Sequence, residues 1–369
     1  MLTAGFLLRN LGNLLLRRRF EFQFDRIPMR TDNLSPRKIR NLFRIGWNRV
    51  FLLAKARGHP YSAHISPAGL CNLRCDSCPV HEDELKGKTV LSFNAFRKFI
   101  DEAGDYLIYI ILWGWGEPLL NPDFHRMAAY AKGKNILTVT STNLNRFSRE
   151  EARKMIDSGL DALIVALDGV TEETYARLRT GGSAGRVIEN TRILIEERSR
   201  ARAKKPLVNL RMVVSKENEH EVEPFRQLAR SLGVDMVSFK AFSTRQKGFA
   251  DPGIDERYAP GNEGYRWYRY RDGFVPDRKP KRYNCRFPWT KPTLFPDGAV
   301  LACEFDFRYE HVFGNINDQS FEEIWFGPKA RQFRTQFKAD RDCISFCRDC
   351  VYDYKLIPGC TVEWEILKR

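Results

Sequence analysis

The feature that most constrains the fold of this chain is an alternation of strand-like and helix-like segments that runs through six strands. The strand-like segments include the apolar run Tyr106–Trp113, whose β-branched and aromatic content is typical of a strand buried in a parallel sheet. They lie near 62–66, 106–113, 136–141, 161–167, 207–214 and 235–240, with helical patterns near 94–104, 122–132, 148–158, 184–200 and 218–232. Ser92, Ser148 and Asn218 favour helix starts. This order predicts an α/β protein with a partial (β/α)6 TIM barrel, whose site lies at the C-terminal ends of the strands.

Three closely spaced cysteines follow the first predicted strand. Cys71, Cys75 and Cys78 form a C-x3-C-x2-C pattern. A four-iron cluster held entirely by protein takes four cysteines, so three thiolates leave one iron open to another ligand. The alternatives are buried thiols without a metal, or a zinc site, which usually needs four ligands and for which only His81 is close enough to complete the set.

Further motifs lie at the ends of later strands. Gly114-Trp115-Gly116-Glu117-Pro118-Leu119-Leu120 follows the second strand, Thr140-Ser141-Thr142-Asn143 ends the third, and Asp168-Gly169 closes the fourth. Thr171-Glu172-Glu173-Thr174-Tyr175-Ala176-Arg177-Leu178-Arg179 comes next. Together with the cysteine triad, these motifs resemble those of the radical S-adenosylmethionine (SAM) superfamily.

The resemblance implies that Cys71, Cys75 and Cys78 ligate a [4Fe-4S] cluster whose open iron chelates SAM. Reduction of that cluster would split SAM into methionine and a 5′-deoxyadenosyl radical, which takes a hydrogen atom from a substrate. The resemblance also implies SAM-binding roles for Gly116, Glu117, Pro118, Thr142, Asn143 and Arg179. The alternative for Arg179 is a solvated cation at a helix end, and Ser141 and Asp168 could equally be turn and strand-end residues.

The other six cysteines lie in the last quarter of the chain. They are Cys285, Cys303, Cys343, Cys347, Cys350 and Cys360. With the turn Pro296-Asp297-Gly298 and the final C-x2-C pair, the segment resembles the shorter, single-cluster form of the SPASM/twitch extension. This resemblance implies a second, auxiliary [4Fe-4S] cluster fully ligated by Cys285, Cys303, Cys347 and Cys350, with Cys343 and Cys360 unassigned. Structural zinc is the alternative here.

Length and cysteine usage set the expected organisation. A chain of 369 residues exceeds a typical single domain. We expect a basic amphipathic N-terminal segment (1–60), a radical SAM core (61–245), a linker (246–284) and a SPASM/twitch-like domain (285–369). Nine cysteines at metal-ligand spacings, without the pattern of a cleaved signal peptide, indicate a reducing cytoplasm.

Positive charge is concentrated at the front of the chain. Residues 1–57 hold thirteen Lys or Arg against three Asp or Glu, a net +10 of the formal +15. Apolar residues recur there at helical spacing: Leu7, Leu11, Leu14 and Leu15, then Ile39, Leu42, Phe43, Trp47, Val50 and Leu53. We expect residues 1–24 to lie peripherally on an anionic membrane surface and residues 36–57 to pack against the barrel.

The sequence therefore predicts a radical SAM enzyme that acts on a lipid or membrane-associated small molecule and takes electrons from a donor such as flavodoxin or ferredoxin. The alternative substrates are a ribosomal peptide, or a sugar or cyclitol that is oxidised. A non-catalytic iron–sulfur or zinc protein is the remote alternative. Nucleic acid is not favoured, because the Arg and aromatic residues of 265–271 are not accompanied by a recognisable RNA-binding module.

Overall fold

The computed structural model describes residues 12–81, 85–243, 252–271, 274–279, 283–355 and 360–368. Residues 12–17 are helical, and a β-hairpin follows, formed by β1 (Phe20–Phe24) and β2 (Ile27–Thr31). Asp25 and Arg26 join these strands with φ of 45° and 73°, as tight hairpin turns require. Helix α1 (Pro36–Phe51) comes next and is capped by the Ser35 side chain.

All six predicted strands are present and pair in parallel in chain order. They are β3 (Ser62–Ile65), β4 (Tyr109–Leu112), β5 (Leu137–Thr142), β6 (Ala162–Ala166), β7 (Leu207–Val214) and β8 (Met236–Ala241). The helices between them are α2 (Phe93–Ala103), α3 (Phe124–Gly133), α4 (Arg149–Asp157), α5 (Glu172–Leu178), α6 (Ala184–Arg200) and α7 (Val222–Leu232). The predicted α/β fold with a parallel sheet is confirmed.

Two of the three predicted helix starts have the expected side-chain cap. Ser92 accepts from a backbone N–H in the first turn of α2, and Ser148 forms a capping box with Glu151 at the start of α4. Asn218 makes no such bond. Its side-chain amide instead donates to the carbonyls of Asp168 and Val213, so it joins the ends of two strands.

The C-terminal region extends both edges of the same sheet. It contains α8 (Pro252–Tyr258), β9 (Tyr270–Arg271), β10 (Val275–Pro276), α9 (Phe287–Thr290), β11 (Thr293–Leu294), β12 (Ala299–Leu301), β13 (Val312–Asn315), α10 (Phe321–Phe326), α11 (Pro328–Ala339), α12 (Ser345–Arg348) and β14 (Thr361–Ile366). Strand β11 pairs in parallel with β3, and β14 pairs antiparallel with β8. The result is a ten-stranded sheet in the order β13-β12-β11-β3-β4-β5-β6-β7-β8-β14.

The N-terminal hairpin covers part of the inner face of this sheet, opposite the crossover helices. Ile27 and Met29 are buried in one cluster with Ile111, Val139 and Ile164, which alternate with the helix-facing residues of β4, β5 and β6. The neighbouring Asp25 forms an ion pair with Arg211 of β7 at 2.8 Å. The hairpin is therefore held on this face of the sheet by both apolar packing and an ion pair.

The front of the chain differs from expectation in two ways. Residues 1–11, with Leu7 and Leu11, lie outside the described residues. Leu14 was expected to face lipid, but it is buried against Leu34 and Ile108, whereas Leu15 is 55% exposed. Residues 20–24 form a strand, because their alternate aromatic residues pack on the inner face of the sheet. Within the described ranges, no helix is long and apolar enough to cross a bilayer.

Helix α1 also departs from the predicted packing. Ile39, Leu42 and Leu53 are partly buried, as expected. The prediction is wrong for three other apolar residues, which are largely exposed: Phe43 (55%), Trp47 (49%) and Val50 (71%). The physical reason is that polar side chains of this helix, including Asn41, make the buried contacts and fix its rotation.

Candidate active site

The N-terminal cysteine triad lies on one loop between β3 and α2. Its thiols are partly buried, and the loop turns back on itself, since Cys78 N donates to Cys75 O at 3.1 Å. Burial and the nearby charges of Glu117, Cys78 and Cys75 raise the pKa of Cys71 to about 11. Thiols in such surroundings become thiolates when a bound cation offsets their charge. The structure thus brings the three predicted ligands together in surroundings that fit an iron cluster.

His81, which could complete a zinc site, is bound to the cysteine loop through one ring nitrogen. Its Nε2 lies 2.6 Å from Leu73 O, and because a carbonyl only accepts, that nitrogen must donate. Across the described ranges, no three His, Cys, Asp or Glu side chains converge closely enough to hold a single metal ion. A four-iron cluster binds each thiolate to a different iron, so its ligands lie farther apart.

The loop after β4 lies directly against the cysteine loop. The backbone N–H of Glu117 donates to Leu70 O at 2.8 Å. A Cβ at Gly116 would lie 2.2 Å from Ala68 O, so only glycine permits this approach. Pro118 then begins a short 3-10 turn. The predicted Gly-Glu-Pro motif is therefore in contact with the segment that leads into the triad.

The Glu117 carboxylate connects this loop to the end of β5. Its oxygens accept from Thr142 Oγ1 at 2.6 Å and from the backbone N–H of Asn143 at 2.8 Å. The Asn143 side chain in turn donates to Asn72 Oδ1 at 3.0 Å and lies 3.8 Å from Cys71 Sγ. Three predicted SAM-site residues therefore form one buried network that reaches the triad.

Arg179 lies near Cys75 of the triad loop. It is paired with the carboxylate of Asp168, which follows the end of β6. Its guanidinium contacts Asp168 Oδ2 at 2.6 Å, while the other oxygen of Asp168 accepts from Val213 N at 2.8 Å. Although burial acts to lower it, the charges of Asp168 and Cys75 raise the pKa of Arg179 well above its usual value. Only 21% of the Arg179 side chain is exposed, so it is not a solvated helix-end cation. Ser141 is half-buried at the end of β5.

The four predicted auxiliary cysteines line one pocket in the C-terminal region. This pocket has a volume of ≈ 380 Å³, counting the solvent space at its opening. Its lining residues are Cys285, Phe287, Pro288, Ala302, Cys303, Phe305, Phe333, Phe337, Arg341, Phe346, Cys347, Cys350 and Tyr352. The turn at 296–298 brings two of the cysteines together, because β11 and β12 pair antiparallel across it. Gly298 takes φ of 89° there. The Pro-Asp-Gly turn therefore joins the two strands that bring Cys285 and Cys303 to the same pocket.

The chemistry of this pocket fits an iron–sulfur cluster. Burial raises the pKa of all four thiols, that of Cys350 to about 12. Arg341 opposes the rise for Cys285, Cys347 and Cys350. Four sulfur donors, a mostly apolar wall and one guanidinium would suit an anionic cluster with complete protein ligation.

The two unassigned cysteines lie outside the lining of this pocket. Cys343 is exposed, and its thiol donates to Asp340 Oδ2 at 2.9 Å. Cys360 is partly buried at the start of β14, and its carbonyl accepts from Ala241 N at 3.0 Å. These positions agree with leaving both cysteines out of the ligand set.

Sequence reasoning missed a buried pair between His64 of β3 and Glu304, the residue after Cys303. His64 Nδ1 lies 2.7 Å from Glu304 Oε2, although the two atoms are not aligned as a hydrogen bond. Trp115 Nε1 donates to Glu304 O at 2.9 Å. Glu304 therefore connects the auxiliary region to β3 and to the loop after β4. The available signal was a histidine between the apolar residues Ala63 and Ile65 in a buried strand.

Comparison with known proteins agrees with this geometry. A radical SAM superfamily model matches residues 65–229, and a model of the SPASM iron–sulfur cluster-binding domain matches residues 285–351. The chain is 27% identical over 310 residues to the tungsten-containing aldehyde ferredoxin oxidoreductase cofactor-modifying protein of Pyrococcus furiosus, covering 76% of this chain and 84% of the relative. It is 26% identical over 322 residues to the AdoMet-dependent heme synthase of Methanosarcina barkeri, covering 79% and 88%.

A solved structure shows a similar fold. Streptococcus suis SuiB bound to the precursor peptide SuiA aligns with a TM-score of 0.57 at 15% identity, covering 97% of this chain and 82% of that one. The sheet, the triad loop and the four-cysteine pocket together define an iron–sulfur enzyme of the radical SAM class. The chain belongs to the radical SAM superfamily and carries a C-terminal SPASM domain. Its cofactors are [4Fe-4S] clusters and SAM.

Proposed function

We propose that Cys71, Cys75 and Cys78 hold the SAM-binding cluster and that Cys285, Cys303, Cys347 and Cys350 hold one auxiliary cluster. The observation that carries this proposal is the separation of the cysteines into a three-thiol loop and a four-thiol pocket. When bound, the first cluster and SAM supply a 5′-deoxyadenosyl radical that takes a hydrogen atom from the substrate. The second cluster has no open iron, so its role would be to accept an electron during substrate oxidation.

The residues around the triad divide the work of holding SAM. Gly116 lets the loop backbone approach the cysteine loop, and Glu117 fixes Asn143 beside Cys71. Pro118 begins the turn after Glu117, and Thr142 donates a hydrogen bond to the Glu117 carboxylate. Arg179 keeps donors that Asp168 does not use, and a guanidinium is suited to a carboxylate such as that of SAM.

We propose that the substrate is a lipid or membrane-associated small molecule and that the enzyme works in the cytoplasm, at the membrane periphery. Support comes from the net +10 charge of residues 1–57 and from Leu15 and Leu16, which are 55% and 87% exposed. Basic residues close to anionic lipid contribute about 1 kcal/mol each. The test is vesicle co-sedimentation of Leu15→Ser with Leu16→Ser, since deletion up to Arg26 would also remove β1. Unchanged binding would exclude this contact.

A peptide substrate is the second candidate. The similar SuiB structure contains its precursor peptide, and the alignment covers 97% of this chain. One assay distinguishes a lipid substrate from a peptide substrate. The reduced enzyme is given either membrane lipid extract or a peptide fraction, and 5′-deoxyadenosine formation is measured. We expect lipid extract to stimulate formation, and stimulation by peptides alone would favour the second candidate. A flavodoxin or ferredoxin is the expected electron donor.

Iron counting tests the ligand assignment. Two [4Fe-4S] clusters amount to about eight irons per chain after anaerobic reconstitution. Replacing Cys71, Cys75 and Cys78 by Ala should halve the iron and abolish 5′-deoxyadenosine formation. Zinc instead of iron in anaerobically purified protein would contradict the proposal.

A further inference from the structure

Helix α1 buries several polar side chains beside the apolar Ile45, which is 1% exposed. The face turned to the protein carries Lys38, Asn41 and Asn48, which are 4%, 3% and 0% exposed. Asn41 exchanges hydrogen bonds with the backbone of His59, and Asn48 accepts from the backbone N–H of Arg57. The chain between 57 and 59 therefore binds the polar side of the helix and directs its other side outward.

The outward face is a stripe of large apolar side chains. Phe43, Trp47, Val50 and Phe51 recur at spacings of four, three and one, and are 55%, 49%, 71% and 47% exposed. The rings of Trp47 and Phe51 contact each other with centroids 4.5 Å apart. Exposed apolar residues are ordinary when single, but a continuous stripe marks a surface that another body covers.

The segment that carries this stripe has only positive formal charges. Residues 36–57 contain seven Lys or Arg and no Asp or Glu. Arg40, Arg44 and Arg57 are exposed, and the Arg57 guanidinium lies 5.4 Å from the centre of the Trp47 ring. A second copy of this chain would bring an equally basic face, so the charges would repel. An anionic partner is complementary.

We propose that the stripe of Phe43, Trp47, Val50 and Phe51 docks on an anionic lipid surface, with the apolar side chains inserted and the arginines at the headgroups. Large aromatic and aliphatic side chains on one face with cations beside them are the composition of helices that lie in a membrane interface. This surface extends the membrane contact proposed above to α1. It does not depend on the cluster ligands or on residues 1–24.

The experiment is co-sedimentation of the full-length reconstituted enzyme with vesicles of phosphatidylglycerol and phosphatidylcholine, or of phosphatidylcholine alone. The test variant combines Phe43→Ser, Trp47→Ser and Phe51→Ser. Each inserted ring that is lost should weaken partition by about tenfold. A second variant, Arg40→Glu with Arg44→Glu, should bind anionic vesicles less and show a smaller effect of salt. The matched control is Trp364→Ser with Ile366→Ser, two side chains that are each 40% exposed on β14.

We expect the wild type and the control to bind anionic vesicles equally and the triple variant to bind far more weakly, with any residual binding due to the contact proposed for Leu15 and Leu16. Equal binding by the wild type and the triple variant, or no binding by the wild type, would overturn the proposal. A wild-type dimer that the triple variant converts to monomer would instead assign the stripe to a second copy. Iron content and 5′-deoxyadenosine formation, measured on the same samples, show whether radical chemistry holds independently of docking.

Discussion

Glu117 and Asn143 connect the loops after β4 and β5: a carboxylate oxygen of Glu117 accepts the backbone N–H of Asn143 at 2.8 Å. The Asn143 side chain lies 3.8 Å from Cys71 Sγ. A buried carboxylate therefore sets the position of a side chain beside the proposed cluster. We therefore propose that Glu117 acts as a positioning residue for the SAM site.

Glu117→Ala should weaken SAM binding by about tenfold to a hundredfold, because loss of a buried acceptor leaves its donors unpaired. Glu117→Gln keeps one acceptor oxygen, so its affinity for SAM should lie between those of the wild type and Glu117→Ala. Equilibrium dialysis of SAM against the anaerobic holoenzyme measures the effect. The control is Glu150→Ala, whose carboxylate is on the exposed side of α4 and pairs with Lys154. Equal affinity of the wild type and Glu117→Ala would remove the positioning role.

Cys347→Ala with Cys350→Ala should remove about half of the iron and leave some SAM cleavage, since the proposed triad cluster is a separate site. Cys343 lies outside the pocket lining, so Cys343→Ala should keep the auxiliary iron, as should Cys360→Ala. Iron analysis and 5′-deoxyadenosine formation are the measurements. Loss of the auxiliary iron in Cys343→Ala would show that the ligand assignment is wrong.

The ion pair between Asp25 and Arg211 should hold the hairpin on the sheet. Their side chains are 15% and 7% exposed, and removing one partner of a buried pair costs about 3–5 kcal/mol. We expect Asp25→Ala to lower the free energy of unfolding by an amount in that range. The double variant Asp25→Ala with Arg211→Met should lose less unfolding free energy than the sum of the losses in the two single variants. Urea unfolding gives these values, and Asp32→Ala, in an exposed pair, is the control.

The same pair predicts sensitivity to acid. Burial acts to raise the pKa of Asp25, but Arg211 and Lys240 outweigh it, so the pKa lies below its usual value. The stabilisation is therefore present above the unfolded pKa of about 4 and is lost as pH falls through the lower folded value. The difference in unfolding free energy between the wild type and Asp25→Asn should shrink over this interval. A constant difference would contradict the prediction.

Lys38 should make stability rise with pH. Burial lowers its pKa from 10.5 to about 8, and its amine donates to Asn135 O at 2.9 Å. Below pH 8 the lysine is charged in both states and its burial is unfavourable. Between pH 8 and 10.5 the unfolded chain still holds the proton, so the folded state gains on the order of 3 kcal/mol. The unfolding free energies of the wild type and Lys38→Met should converge over this window. The difference between the wild type and Lys55→Met, a change at an exposed site, should stay constant.

Local sequence was sufficient for the elements and for the grouping of the cysteines. Strand and helix patterns are properties of neighbouring residues, so the alternation through six strands was visible without the fold. The triad and the final C-x2-C pair are close in sequence. The hairpin at 20–31 was missed because its strands are short and the second turn residue is Arg26 instead of the usual glycine.

The sequence by itself determined the class of chemistry, through the spacing of cysteines and the motifs at strand ends. Only the tertiary structure decided how distant residues meet. Asp25 and Arg211 are 186 positions apart, and His64 reaches Glu304 because β11 pairs with β3. It also decided which side of α1 faces outward. Apolar periodicity defines an amphipathic helix but not its partner, and here hydrogen bonds from Asn41 and Asn48 to the following loop set the rotation.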